Sequence, residues 1–269
     1  MGSFPQSIVH YLPVTDHDER WGIVCTTAGY QNVPPGSPYP LTQHPDSYSF
    51  TRSRGRVLGE YQLLYIVSGQ GEFRSASSPA APVKAGTVVM LFPDEWHTYA
   101  PDPETGWEEW WVGFRGENID RRVAEGFFSP KTPLLHIGHS AGIVSCYQEI
   151  IRSAEEERKG FQQLVTGIVL HLLGSVLFKR DNLQYLDNPI VEKINRAREM
   201  MRRHIGDNLP PEEIARRLNI GYTWFRRTFR AYVGIAPAQY QLQLRHNKAR
   251  ELLTTTDRTV SEIAAELGF

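Results

Sequence analysis

A six-residue segment occurs twice in the last third of this chain, and this repeat constrains the architecture more than any other feature. Residues 213–218 (EIARRL) recur as residues 262–267 (EIAAEL). In each copy an Ile and a Leu lie four positions apart, on one face of a helix, and the small Ala between them lets a second helix approach closely. Internal similarity of this kind predicts two copies of one helical unit.

A second helix follows the first copy after a tight connection that contains Gly221. Its apolar residues Phe225, Phe229 and Val233 are spaced four apart and form an inner face. A short helix, a Gly-containing turn and a second helix with a polar, basic outer face are typical of a helix-turn-helix. The residues predicted to contact DNA are Tyr222, Thr223, Trp224, Arg226, Arg227 and Arg230.

The outer face of this second helix has side chains suited to DNA. Arg227 can donate two hydrogen bonds to a guanine edge, and Thr223 can contact a thymine methyl group or an acceptor. Arg226 and Arg230 suit phosphates, which position a protein without specifying sequence. We therefore expect one helix that reads bases and also contacts the DNA backbone.

The formal charge of −1 conceals a basic C-terminal region. Residues 189–269 hold 14 Lys and Arg against 9 Asp and Glu, whereas residues 1–188 hold 15 against 21. A basic segment joined to an acidic body points to a nucleic-acid partner for the basic part. Hydrophobic residues are 41% and charged residues 22% of the chain, which excludes a disordered chain, a collagen-like fibre and a coiled-coil rod.

The cysteine count and the hydropathy pattern predict a cytoplasmic protein. The two cysteines, Cys25 and Cys146, cannot form a disulfide framework or a cysteine-based zinc site, so reduced thiols are expected. No window approaches the roughly 18 uninterrupted apolar residues of a membrane span, and the N-terminus lacks a basic region followed by an apolar run. We therefore expect neither a transmembrane helix nor a secretory signal.

Short apolar runs with turn residues between them occupy the first 115 residues and predict a small barrel or sandwich. The runs are 61–67, 87–92 and 107–114, and the Gly69-Gln-Gly71 break predicts a hairpin. From about residue 117 the period becomes helical, with amphipathic segments at 141–158 and 161–180. This helix pair could cover the barrel or form a dimer face.

Residues 189–269 resemble the AraC/XylS family of bacterial transcription regulators. The matching stretches are Ile214-Ala215, Phe229-Arg230, 234–237 (GIAP), Tyr240, Arg245, Ala249, Leu252-Leu253 and 260–269 (VSEIAAELGF). The resemblance implies two helix-turn-helix units joined by one long helix, here about 237–253. In the family the final Gly-Phe begins the turn into the second recognition helix, so we expect the second unit to be incomplete at Phe269.

The N-terminal part resembles the cupin-like sensory domain of the arabinose-regulator subfamily. The matching stretches are 61–71, 84–99 and 107–115. In that subfamily a sugar lies inside the barrel, and the resemblance implies Arg54, Tyr99 and Trp111 as ligand-binding residues. Aromatic faces pack on sugar C–H groups and Arg donates to hydroxyls, which fits this assignment. His44, Trp107 and Trp110 are weaker candidates, and an unstructured arm before Trp21 is expected to close over the ligand.

The sequence therefore predicts an α+β protein of two domains that acts as a ligand-responsive transcription regulator. The expected parts are a cupin-like domain (1–138), a helical hairpin for dimerisation (139–188) and a DNA-binding domain (189–269). The expected partners are promoter DNA, a small-molecule effector of the sugar class and a second copy of the chain, with RNA polymerase as a further candidate. No catalytic residue, metal or cofactor is expected.

Two alternatives stay open at the level of sequence. One is a cupin-type enzyme fused to a helical domain, although such enzymes need several metal ligands and residues 61–75 contain no His. The other is a truncated regulator that acts through dimerisation alone.

Overall fold

The computed structural model of the protein describes residues 7–39, 54–185, 188–207 and 209–269. The chain divides into two compact units, Met1–Leu183 and Gln184–Phe269. The first unit contains an antiparallel β-barrel and a pair of long helices, and the second is helical throughout its described residues. The predicted α+β class is confirmed.

The first unit contains every described strand and four helices. The strands are β1 (Ser7–Tyr11), β2 (Val24–Val33), β3 (Tyr61–Ser75), β4 (Ala81–Lys84), β5 (Thr87–Leu91), β6 (His97–Pro101), β7 (Trp107–Arg115) and β8 (Leu134–His136). The helices are α1 (Asp16–Glu19), α2 (Glu117–Ala124), α3 (Ala141–Glu156) and α4 (Phe161–Asn182), and a 3₁₀ helix covers Leu183–Tyr185. The main sheet has the order β1-β2-β7-β3-β5-β8, and all of its pairs are antiparallel.

Strand β3 is one continuous strand of 15 residues, so the predicted hairpin at Gly69-Gln-Gly71 is wrong. Its first half pairs with β5 and β7, and its second half pairs with β4 and β6. The glycines lie where the strand changes partners. Gly69 has φ +78°, and a Cβ there would lie 2.1 Å from the carbonyl oxygen of Gly106. Glycine at this point permits a close backbone approach and does not reverse the chain.

The described part of the N-terminal arm is ordered, which corrects the prediction of an unstructured segment. β1 pairs with β2 from Ser7 opposite Gln31 to Tyr11 opposite Thr27. Thr15 then begins α1 with a capping box, in which its side chain and that of Asp18 satisfy each other's backbone N–H groups. The described part of the arm is therefore an edge strand of the barrel followed by a short helix.

Side chains alternate between the two faces of the sheet along each strand, and each face is buried in a cluster of its own. The outer face packs against α3 and α4 in one large apolar cluster that includes Trp110, Val112, Phe114 and Tyr147. The inner face forms a second cluster that includes Trp107, Trp111, Tyr99, Phe73 and Leu64. The barrel interior is thus separate from the core beneath the helices.

The helix pair follows the amphipathic pattern of the sequence. Ser140 caps the start of α3, and Gly160, at φ +83°, precedes α4. α4 buries Val165, Val169, Leu172, Leu173 and Val176 in the outer cluster. The segment Phe161–Tyr185 is long and apolar enough to cross a membrane. Its buried stripe, however, packs as that of a core helix does.

Gln162 ties the start of α4 to strand β2. Its side-chain Oε1 accepts from Cys25 N at 3.0 Å, and its Nε2 donates to Cys25 O at 3.0 Å and to Pro13 O at 2.9 Å. β1 pairs with β2 only from Gln31 to Thr27, so the amide occupies the place of β1 beside Cys25. One buried side chain therefore holds helix, strand and arm together.

The second unit contains five helices in its described residues, close to where the sequence predicts them. They are α5 (Pro189–Arg203), α6 (Pro211–Arg217), α7 (Tyr222–Val233), α8 (Pro237–Thr255) and α9 (Val260–Leu267). The main core of this unit contains Ile194, Ile214, Ala215, Phe225 and Phe229. A smaller cluster joins Leu252 of α8 to Ile263 and Leu267 of α9.

Replacement of Gln162 by Leu is expected to lower the free energy of unfolding of the first unit by about 3 kcal/mol. Two buried hydrogen bonds and one part-buried hydrogen bond would be lost, each worth about 1 kcal/mol, and the backbone groups of Cys25 and Pro13 would lose these partners. Urea denaturation of the whole chain measures the effect. Gln163→Leu is the control, because Gln163 makes one bond, to Asp18. Equal losses for the two variants would contradict the role given to Gln162.

Candidate ligand-binding and DNA-binding sites

Strand β7 presents a Trp-Glu-Trp row to the barrel interior. Trp107 and Trp111 belong to the inner cluster, and Glu109 shares their side of the strand because side chains two residues apart point the same way. The indole of Trp111 lies across Gly29 of β2, where a Cβ would be 2.1 Å from the ring. Glycine on β2 thus makes room for an aromatic wall inside the barrel.

Tyr99 enters the same interior from β6. Its ring centroid is 6.1 Å from that of Trp107 and 6.1 Å from that of Tyr39. Tyr99 and Trp111 are both buried in the inner cluster. The structure therefore brings two of the three predicted ligand-binding residues into one interior.

The arginine inside the barrel is Arg56, two residues after the predicted Arg54. Arg54 is exposed, and its carbonyl accepts a hydrogen bond from Trp96 Nε1. Arg56 and His97 exchange two backbone hydrogen bonds, which place Arg56 against β6. Its NH2 group donates to the Tyr99 hydroxyl at 2.7 Å, and its guanidinium lies 5.6 Å from the centre of that ring.

His97 is buried and neutral. Burial, reinforced by the charge of Arg56, lowers the pKa of His97 to about 4. Nδ1 lies 3.0 Å from the Glu95 carbonyl, which can only accept, so Nδ1 carries the proton and Nε2 accepts from Arg56 Nε at 3.3 Å. With both ring nitrogens engaged, His97 is a structural support for Arg56.

A second buried polar group lies beside Arg56. Glu60 Oε1 accepts from Gln62 Nε2 at 2.7 Å and from the Thr27 hydroxyl at 3.2 Å. Gln62 Oε1 lies 3.5 Å from the NH2 group of Arg56 and links the carboxylate to the guanidinium. The interior therefore carries a connected hydrogen-bond network beside its aromatic wall.

Glu109 is a buried carboxyl group in this interior. Burial raises the pKa of Glu109 to about 7, because the Tyr39 hydroxyl bond and the charge of Arg56 offset only part of the desolvation. Tyr39 donates to Glu109 Oε1 at 3.1 Å. Burial therefore favours the protonated form of Glu109.

Of the weaker ligand candidates, Trp107 lies in the barrel interior and Trp110 lies on the opposite face, against Tyr30 and Tyr147. His44 lies outside the described residues. Four polar residues of this interior were not among the predicted site residues, namely Arg56, Glu60, Gln62 and Glu109. For Glu109 the signal was present, because a residue two positions before an inward Trp111 shares its face.

The part of the chain that the structure describes contains no cluster of side chains suited to bind a metal ion. No group of three or more His, Cys, Asp or Glu side chains there could hold an ion. Both nitrogens of His97 are already engaged.

The helix-turn-helix consists of α6 and α7. Ile214 and Ala215 of α6 are fully buried against Phe225 and Phe229 of α7, whose rings meet edge to face at 5.5 Å. Asn219 takes φ +52° in the turn, a conformation that Asn tolerates better than most residues. The apolar stripe therefore orients the remaining faces of α7 outward.

The outer face of α7 holds exposed basic groups. Five of the six predicted DNA-contacting residues are exposed, namely Thr223, Trp224, Arg226, Arg227 and Arg230. Tyr222 is half-buried and packs against the core of the unit. On α6, by contrast, Glu213 forms ion pairs with Arg216 and Arg217. A cationic surface without such a carboxylate suits the phosphates of DNA.

A sensory barrel and a helix-turn-helix define a ligand-responsive transcription regulator. An AraC-like ligand binding domain family matches residues 35–173, and a helix-turn-helix domain family matches residues 214–269. The protein belongs to the AraC family of regulators. It is a DNA-binding regulator and not the cupin enzyme that the sequence left open.

Three operon regulators illustrate this relationship. The Msm operon regulatory protein of Streptococcus mutans is 23% identical, over 79% of this chain and 77% of its own length. The raffinose operon transcriptional regulatory protein of Pediococcus pentosaceus is 22% identical, over 82% and 80%. The arabinose operon regulatory protein of Escherichia coli is 23% identical, over 78% and 72%.

Replacement of Glu109 by Gln is expected to stabilise the protein more at pH 8 than at pH 5. In the unfolded chain this carboxyl ionises near pH 4.5, whereas in the folded state it ionises near pH 7. The unfolded state therefore binds fewer protons between these values, and the stability of the wild-type protein falls as pH rises through that window. The gain is at most about 3 kcal/mol, since each pKa unit corresponds to about 1.4 kcal/mol.

Urea denaturation at the two pH values measures this difference. The exposed Glu104→Gln variant is the control for loss of one negative charge. A stability gain for Glu109→Gln that is equal at pH 5 and pH 8 would contradict a raised pKa at this site.

Proposed function

We propose that the barrel binds a sugar and that this binding controls promoter recognition by the helix-turn-helix unit. The observation that carries the proposal is the barrel interior, where the rings of Tyr99, Trp107 and Trp111 adjoin a buried polar network around Arg56. Aromatic rings pack on sugar C–H faces, while Arg, Gln and Glu exchange hydrogen bonds with hydroxyl groups. Relatives whose names refer to the raffinose and arabinose operons support the sugar class.

Control of DNA binding requires that the sugar bind one arrangement of the protein more tightly than another. The described arm supplies a route, because β1 is an edge strand of the barrel and Gln162 links the arm, β2 and α4. A sugar that shifts the position of the arm or of β2 would then shift the position of α4 as well. The regulator acts in this way on promoter DNA in the cytoplasm, with RNA polymerase as a further partner.

We further propose that the helix pair, within residues 139–188, joins two copies of the chain. Leu164 and Phe178 of α4 are 53% and 68% exposed, and Ile168 lies between them on the same side of the helix. Gly167 and Gly174 lie on that side and would let a second helix approach closely. An exposed apolar stripe on a helix whose other side is buried is typical of a protein interface.

The test of the effector class is a thermal-shift screen of the whole protein against raffinose, lactose, L-arabinose and D-galactose. A ligand that binds the folded state must raise its stability. We expect at least one sugar to raise the unfolding temperature and to change the affinity for promoter DNA. If no sugar of this panel does either, the proposed sugar effector is wrong.

Arg227→Ala is expected to relax base specificity at one position, whereas Arg230→Ala is expected to weaken binding to all sequences alike. A bidentate contact with guanine is worth about 1–3 kcal/mol, while a phosphate contact carries no sequence information. Binding titrations on matched promoter and scrambled DNA at two salt concentrations measure both effects. Arg216→Ala is the control, because Glu213 already engages that residue. Equal losses on every sequence for both α7 variants would exclude base reading by Arg227.

Leu164→Asp is expected to convert a dimer of the protein into monomers, because the introduced carboxylate would be buried without a partner in the interface. Sedimentation velocity measures the oligomeric state. Leu253→Asp is a matched control, since Leu253 is also about half exposed (50%) but lies on α8. A monomeric wild-type protein, or a dimer in both variants, would refute the interface on α4.

A further inference from the structure

Gln31 holds an unused hydrogen-bond donor inside the barrel. It lies on β2 between Gly29, which Trp111 covers, and Val33 of the inner cluster, so its side chain shares their face. The residue is 2% exposed, and among the described residues its Nε2 finds no hydrogen-bond partner. A buried amide without a partner costs about 1–3 kcal/mol, which calls for a compensating role.

The residue directly opposite Gln31 on β7 is Glu109. Opposed residues of an antiparallel pair have Cβ atoms about 5 Å apart, so the amide and the carboxyl group project side by side from the wall. A carboxyl group keeps acceptor positions whether or not it is protonated, and the Tyr39 hydroxyl uses one region of Glu109. An unused donor thus lies next to a carboxyl group with acceptor capacity to spare.

We propose that Gln31 and Glu109 together recognise one hydroxyl group of the effector and restrict the barrel to neutral, hydroxyl-bearing molecules. A hydroxyl oxygen can accept from Gln31 Nε2 while its hydrogen is donated to Glu109, so one group satisfies both side chains. This inference rests on the proposed function, because it assumes that the effector enters the barrel.

The charges of the interior oppose an acidic effector. Among the residues that the structure describes, Glu60 and Glu109 are two buried acidic groups in this interior, and the guanidinium of Arg56 is the basic group beside them. Arg56 already donates to Tyr99 and contacts His97 and Gln62. A ligand carboxylate beside Glu109 would either place like charges together in a region of low dielectric or force one of the two carboxyl groups to stay protonated, and both outcomes weaken binding of the acid.

The experiment is calorimetric titration of the full chain with three neutral sugars and their acids. The pairs are L-arabinose with L-arabinonate, D-galactose with D-galacturonate, and lactose with lactobionate; raffinose is added as a neutral sugar. We expect the wild-type protein to bind a neutral sugar at least tenfold more tightly than its acid. Gln31→Leu should weaken sugar binding about tenfold, the value of one hydrogen bond. The same variant should not lower the unfolding temperature of the ligand-free protein, because no internal bond is lost.

Two further variants make the test specific. Glu109→Gln keeps a hydrogen-bond acceptor but removes the negative charge. It should therefore lower the ratio of the affinity for the neutral sugar to the affinity for the acid. Thr26→Val is the control, because it removes another buried, unpartnered polar atom of β2, and it should leave the affinity unchanged.

The outcomes separate this inference from the proposed function. If a sugar binds and Gln31→Leu or Glu109→Gln changes neither affinity nor selectivity, the hydroxyl-recognition pair is refuted while the sugar effector stands. An acid that binds more tightly than its neutral sugar also refutes it. If neither sugars nor acids bind the wild-type protein, both proposals fail.

Discussion

The alternation of side chains along the central strands is the constraint on which the sensory unit depends. β7 lies between β2 and β3, so both of its edges are hydrogen-bonded, and side chains on both of its faces are buried. One face carries Trp110 and Val112 into the apolar core beneath the helices, and the other carries Trp107, Glu109 and Trp111 into the barrel. A one-residue shift of register would exchange the two faces. It would place a carboxyl group in the core and remove the aromatic wall from the interior.

The buried polar groups of the barrel interior cost desolvation free energy that an entirely apolar core would not. A carboxyl group at Glu109 and an amide at Gln31 are buried where apolar residues would pack without desolvation. Around Arg56, in contrast, polar groups satisfy one another through Tyr99, Gln62 and His97. The polar groups around Arg56 are thus hydrogen-bonded to one another, whereas Gln31 Nε2 is not. A ligand would gain the most binding free energy by hydrogen-bonding at Gln31 and Glu109.

Much of the helical architecture could be predicted from the chain. The apolar spacing identified α6, α7 and α9, and the family resemblance placed the long helix at about 237–253, close to the observed α8 (Pro237–Thr255). Phe225 and Phe229 were expected inside and are buried. Prediction failed where glycine was ambiguous, because Gly69 could mark either a chain reversal or a strand that changes sheets. The ligand-binding role of Arg54 stays a prediction, but the structure places Arg54 at the surface and the guanidinium of Arg56, two residues later in an irregular segment, against Tyr99.

Local periodicity was therefore sufficient for the class of fold, the helix-turn-helix and the exposed basic face of α7, since these depend on neighbours a few residues apart. The ligand site depends on residues far apart in the chain. Gln31, Arg56, Tyr99 and Glu109 come from separate segments, and only strand pairing brings β2 beside β7 and residue 56 beside β6. Which donors and acceptors meet, and which stay unpaired, follows from that pairing, because hydrogen bonds depend on distances that one-dimensional order does not contain.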